Sequence, residues 1–90
     1  MSKPRYFLFS KHALEQIKHR GLSKDTIDEA IKDPDHIHAD SEGIVVYQKL
    51  VKEGDKHYLY RVFVNNFKRP PVVITAYKTS KTEKYENPIW

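Results

Sequence analysis

Apolar residues recur at helical spacing in two short stretches near the start of the chain. In residues 11–20 (KHALEQIKHR) the stripe is Ala13, Leu14 and Ile17, and in residues 24–32 (KDTIDEAIK) it is Ile27, Ala30 and Ile31. Each stretch carries start and stop signals. Ser10 is placed to cap the first, with Phe9 and Leu14 bracketing it as a hydrophobic staple, and Gly21 follows where a left-handed residue commonly ends a helix. Ser23 caps the second, Leu22 staples to Ile27, and Asp25 and Asp28 fall in the first turns, where the helix dipole favours them. Pro34 stops it, because the residue before a proline is pushed out of the helical region. Helices this short do not persist alone in water, so both must pack on something.

From His36 the period falls to two. Strand-like runs are predicted at 36–39, 44–51, 57–65 and 71–78, separated by turns at Asp40-Ser41-Glu42-Gly43 and Glu53-Gly54-Asp55 and by a polar break from Asn66 to Pro70. Connections this short make neighbouring strands antiparallel. Residues 1–9 suit a short strand or a tail packed on the core. The pattern therefore predicts an α+β fold with two N-terminal helices on one face of a three- to four-stranded antiparallel sheet. It reads as a single domain over residues 1–90, with its core at about 8–80 and a basic tail at 79–90 that either wraps back on the domain with Trp90 as an apolar anchor or stays loose. Alternation puts Tyr58, Tyr60, Val62, Val64, Val72, Ile74 and Ala76 under the helices. The opposite face then holds Leu59, Arg61, Phe63, Val73, Thr75 and Tyr77, joined by Tyr47 and Lys49 if strand 44–51 shares that register.

Ninety residues leave room for one small core and none for a large cofactor cavity, so no cofactor is expected. Without cysteine the chain has no disulfides and no thiolate zinc site. No apolar run approaches the roughly 18 residues of a membrane span, and the N-terminus lacks a signal-peptide core, so the expectation is a cytoplasmic protein with no membrane partner. The net charge is +4, and its distribution says more than its size. Residues 1–20 hold five basic and one acidic side chain, residues 21–66 six and nine, and residues 67–90 five and two. A fold that joins the two ends would present a positive surface suited to a polyanion, though a lysine-rich surface also serves solubility alone.

The first helix adds chemistry to that charge. His12, Gln16 and Arg20 fall close to one row of its surface. Cutting an RNA phosphodiester without a metal needs a base for the 2′-hydroxyl, cations for the phosphorane-like transition state and an acid for the leaving oxygen. Histidine suits the proton transfers and arginine the charge. His12 sits beside a helix N-terminus, an anion site whose dipole favours the neutral imidazole and hence a base. Each residue also has an ordinary explanation: a first-turn side chain for His12, a cation on the helix dipole for Arg20, a cross-strand ion pair for Arg61. His36, His38 and Asp40 alternate along one strand and could hold a divalent metal, but two histidines at i and i+2 arise readily by chance among five, and no metal site is expected. Phosphate-cradling glycine loops and nucleophile elbows are missing from the sequence.

The run FSKHALEQIKHRGLSKDTIDEAIKDPDHI, followed by VYQK, YLYRVFV and PPVVITAYKT, resembles a family of small bacterial and phage domains over roughly residues 8–80. That family is similar in layout to the RelE and BrnT toxins and to the wider barnase, EndoU, colicin and RelE superfold of metal-independent ribonucleases. The resemblance implies a catalytic or RNA-contacting role for His12, Arg20, Arg61 and Thr75, with Tyr77 or Lys78 as neighbours. The candidate site taken from the sequence is therefore His12, Arg20, Arg61, Thr75 and Tyr77 as catalytic residues, with Gln16, Lys49, Lys78, Lys81 and Lys84 expected to bind nucleic acid. The expectation is a toxin-like or phage-associated RNA endonuclease leaving a 2′,3′-cyclic phosphate, with RNA as substrate and a cognate antitoxin as protein partner. A non-catalytic module that binds nucleic acid or protein on the same surface is the alternative. A domain that dimerises through an exposed edge strand is a third reading.

Overall fold

The computed structural model describes residues 7–82. Its elements in chain order are β1 (Leu8–Phe9), α1 (Lys11–His19), α2 (Lys24–Lys32), β2 (His36–Ser41), β3 (Ile44–Glu53), β4 (Lys56–Asn65) and β5 (Val72–Thr79). Both helices start as their sequences dictate. The Ser10 hydroxyl accepts from the Ala13 amide at 3.0 Å, and that of Ser23 from the Thr26 amide at 3.2 Å. At the end of α1, Gly21 turns left-handed at φ 66° while the Leu22 and Gly21 amides bond back to the Ile17 and Lys18 carbonyls, which folds buried Leu22 under the helix.

The sheet has five strands in the order β1-β5-β4-β3-β2. This corrects the expected three or four antiparallel strands: β2 to β5 form an antiparallel meander, but β1 adds a parallel pairing to β5. Two residues are too few to show a period, and their partners lie at the far end of the chain. The pairing rests on the Leu8 amide to the Pro71 carbonyl at 2.9 Å and the Ser10 amide to the Val73 carbonyl at 3.0 Å.

Both helices pack on one face. Ala13, Ile17, Leu22, Ile27, Ala30 and Ile31 meet Tyr47, Tyr60, Val62, Val64, Val73 and Ala76 in one buried cluster, with Tyr58 against it. Two face assignments are corrected. Val73 takes the core position expected of Val72 and Ile74, because β5 carries an extra residue where Val64 pairs with Val73 and Phe63 with Thr75. Tyr47 and Lys49 lie on the helix face, which leaves Val46, Gln48 and Leu50 on the other. Strand 44–51 is apolar on both sides, so alternation could not orient it. The tail from residue 83, with Lys84 and Trp90, lies outside the described residues. Among the described residues no helix is long and apolar enough to cross a membrane.

Candidate functional site

The sheet face away from the helices carries two neighbouring rows of side chains across four strands. The backbone register aligns His36, Gln48, Arg61 and Tyr77 in one row, and His38, Val46, Phe63 and Thr75 in the next. Arg61, on the central strand β4, joins them. Its Nε donates to Gln48 Oε1 at 2.6 Å and its Nη1 to the Tyr77 hydroxyl at 2.7 Å, while Nη2 lies 3.3 Å from His38 Nε2. The guanidinium carbon also sits 5.4 Å from the centre of the Phe63 ring and 5.7 Å from that of Tyr77. These two rings are themselves stacked at 6.1 Å. Aromatic faces attract the cation, so hydrogen bonds and rings hold one geometry together.

His38 Nδ1 lies 3.2 Å from the Ala39 carbonyl, which only accepts, and Nε2 lies between the Arg61 Nη2 donor at 3.3 Å and the Gln48 Oε1 acceptor at 3.4 Å. A ring protonated on Nδ1 satisfies the first contact and turns a lone pair on Nε2 toward Arg61. The His36 ring stacks on that of His38 at 5.7 Å. Burial, and then the neighbouring His38, push the pKa of His36 below the ordinary imidazole value. Gln48 is 1% exposed, and its Nε2 has no hydrogen-bond partner. A buried donor left unpaired costs about 1–3 kcal/mol. Turning the amide over would set its NH2 against the Arg61 Nε–H, so the arginine fixes its orientation.

A base, a cation and a weak acid thus meet in one hydrogen-bonded cluster. Of the residues expected from sequence, Arg61, Thr75 and Tyr77 share this face. His12, Gln16 and Arg20 lie on α1, which packs on the other. His12 is exposed and its side chain has no hydrogen bond or ion pair with another described residue, and Gln16 is half-buried. Arg20 Nη1 donates to the Ala76 carbonyl at 2.7 Å, on the outer edge of β5. Lys49 reaches the Asp33 carbonyl at 2.9 Å, and Lys78 pairs with Glu53 at 2.7 Å. A cleft of about 640 Å³ runs round the end of β5, where Arg20, Tyr58, Tyr77, Lys78 and Lys81 line it.

His38 and Gln48 are site residues that the sequence pattern does not single out for this chemistry. Gln48 has a visible signal, a polar residue inside the apolar run IVVYQKLV. His38 has only its spacing from His36, which suggests a metal ligand. The register shift between Ala39 and Ser41 breaks the alternation that would have aligned Asp40 with the two histidines. Among the described residues, no group of three His, Asp or Glu side chains is placed to hold a metal ion.

Comparison with curated proteins and with solved structures matches nothing to this chain. Comparison with family models matches residues 9–78 to DUF4258, a domain of unknown function. The match runs from Phe9, just before the Ser10 cap of α1, to Lys78 near the end of β5, and so covers both helices and nearly all of the antiparallel meander. With most of its length matched in this way, the chain belongs to the DUF4258 family.

Proposed function

We propose that this chain is a metal-independent RNA endonuclease of RelE/BrnT-like character, working on the sheet face away from the helices. The observation that carries the reading is the cluster in which Arg61 is hydrogen-bonded to Tyr77 and lies against the His38 lone pair. In this mechanism Arg61 Nη2 shifts its hydrogen bond from His38 to the scissile phosphate, the His38 Nε2 lone pair so released takes the 2′-hydroxyl proton, and the 2′-oxygen attacks the adjacent phosphorus. Arg61 stabilises the added negative charge of the phosphorane, and Tyr77 protonates the departing 5′-oxygen. The products are a 2′,3′-cyclic phosphate and a 5′-hydroxyl. His12 and Arg20, on the helix side, contact the flanking strand. The partners that accompany this reading are RNA and an antitoxin protein.

The test is incubation of the wild type, His38→Ala and His12→Ala with total RNA in excess chelator, reading the fragment ends. The expected result is cyclic phosphate from the wild type and from His12→Ala, with at least ~100-fold loss in His38→Ala, as for removal of a general base. Loss in His12→Ala alone would move the base to α1 and overturn the His38 assignment. A wild type that cuts nothing, with or without ribosomes, would leave the second reading, a non-catalytic nucleic-acid-binding module. The cleft bearing Arg20, Lys78 and Lys81 supports that alternative.

A further inference from the structure

Gln48 is the least expected residue of the cluster. A side chain that is 1% exposed, on a strand whose neighbours on the same face are Val46 and Leu50, would ordinarily be apolar. The glutamine leaves its own Nε2 without a partner. What it supplies is Oε1, 2.6 Å from Arg61 Nε and 3.4 Å from His38 Nε2. The Nε–H and Nη2–H bonds of a guanidinium form one edge, a two-donor fork of the kind that grips carboxylates. Here the fork meets two acceptors on different strands, the amide oxygen of Gln48 on β3 and the imidazole lone pair of His38 on β2.

We propose that Gln48 is the positioning residue of this site, fixing the Arg61 guanidinium edge-on so that it holds His38 with its Nε2 lone pair turned inward. The inference rests on the reading of the cluster as the functional site, and its geometry can be tested without RNA. The fork requires the Nδ1–H form of His38, because a proton on Nε2 would point at an Arg61 donor and turn instead to Gln48 Oε1. It also requires an acceptor at position 48, which glutamate supplies and leucine, of similar volume, does not.

Nuclear magnetic resonance on the intact chain at about pH 8, above the ordinary imidazole range, reads both requirements. The wild type is expected to show a protonated Nδ1 and a bare Nε2 on His38, with a coupling across the hydrogen bond from Arg61 Nε to the Gln48 side-chain carbonyl. Gln48→Leu is expected to speed solvent exchange of the Arg61 Nε proton about tenfold, the loss of one hydrogen bond to a charged group. Gln48→Glu is expected to restore the protection. Unchanged exchange in a folded Gln48→Leu would reduce Gln48 to a space-filling role and overturn the proposal. So would a wild type with its proton on His38 Nε2, or one without the coupling, and these two readings need no variant to fold. Because RNA is absent throughout, an intact fork in a protein that cuts no RNA would retire the enzyme reading alone, and cleavage by a protein without the fork would retire this proposal alone.

Discussion

Glu53 and Tyr60 illustrate how single side chains set the pH range of the fold. The Tyr60 hydroxyl donates to one Glu53 oxygen while Lys78 holds the other at 2.7 Å. Hydrogen bonds from Lys78 and from Tyr60 hold the Glu53 carboxyl below its ordinary value of 4.5, against the opposing effect of burial. A depressed carboxylate adds stability above its unfolded value and loses it as pH falls through the folded one. Tyr60 is shifted the other way: burial, then the Glu53 bond and charge, raise its phenol above the ordinary 10. Its contribution is complete below pH 10 and fades as the pH rises further. Thermal melting should therefore decline at both extremes, below about pH 4.5 and above about pH 10. Tyr60→Phe should flatten the alkaline limb and cost ~1 kcal/mol at neutral pH, the net worth of one hydrogen bond. A variant that keeps the full alkaline decline would assign that limb to another group. His36 acts in the middle of the range: its lowered pKa means that the folded state resists protonation, so stability should also slip as pH falls through the ordinary imidazole value of 6.5.

Caps, turns and edges are governed at the scale of the element. Ser10→Ala removes the acceptor for the Ala13 amide, and chemical denaturation should show a loss of ~1 kcal/mol. Gly43 turns the chain between β2 and β3 at φ 78°, with the Phe67 ring lying where a Cβ would stand. Gly43→Ala combines a left-handed backbone with a steric clash, so it should lower stability more than the ~1 kcal/mol of the conformation alone. Both edges of the sheet carry charged guards. The Asp35 carboxylate accepts from the Leu50 amide at 2.7 Å, where β3 runs past the end of β2. Arg20 occupies the Ala76 carbonyl on β5, where β1 pairs only with Val72 and Val73. Uncovered strand edges invite pairing with another chain. Arg20→Ala should consequently raise self-association in sedimentation velocity, and an unchanged sedimentation coefficient across protein concentrations would show that the guard is dispensable.

At the scale of the molecule, the fold brings the described parts of the two basic segments together. α1 packs on β5, which brings Arg20 beside Lys78 and Lys81. Glu53 pairs with Lys78, so Arg20 and Lys81 contribute most of the positive field of the cleft. Single-stranded RNA should bind with an affinity that falls as salt rises, and Arg20→Glu with Lys81→Glu should flatten the slope of log K against log salt by about 0.7 for each phosphate no longer neutralised. Anisotropy titrations across salt concentration measure this directly. An unaltered slope would place the polyanion surface elsewhere, with the face of Arg61 as the next candidate.

Ser10, Ser23, Gly21 and the stripes of Ile17 and Ile27 made the two helices legible in the sequence alone, because capping and 3.6-residue periodicity act within a few residues. The four longer strands were legible for the same reason, and so was the arginine, threonine and phenol face of the last two. Long-range pairing decided the rest. The extra residue at Ile74 exchanged Val72 for Val73 in the core, the two residues of β1 found their partners across the length of the chain, and β3 took its face from the helices above Tyr47. The site shows the same division. Arg61, Thr75 and Tyr77 could be grouped by alternation on neighbouring strands, whereas Gln48 joined them only through the register of β3 on β4 and His38 only through that of β2 on β3. His12 and Arg20 share a row of α1 by local geometry, but the packing of that helix on the opposite face of the sheet set them apart from Arg61. Local chemistry specifies which element forms, and only the folded sheet specifies which side chains meet.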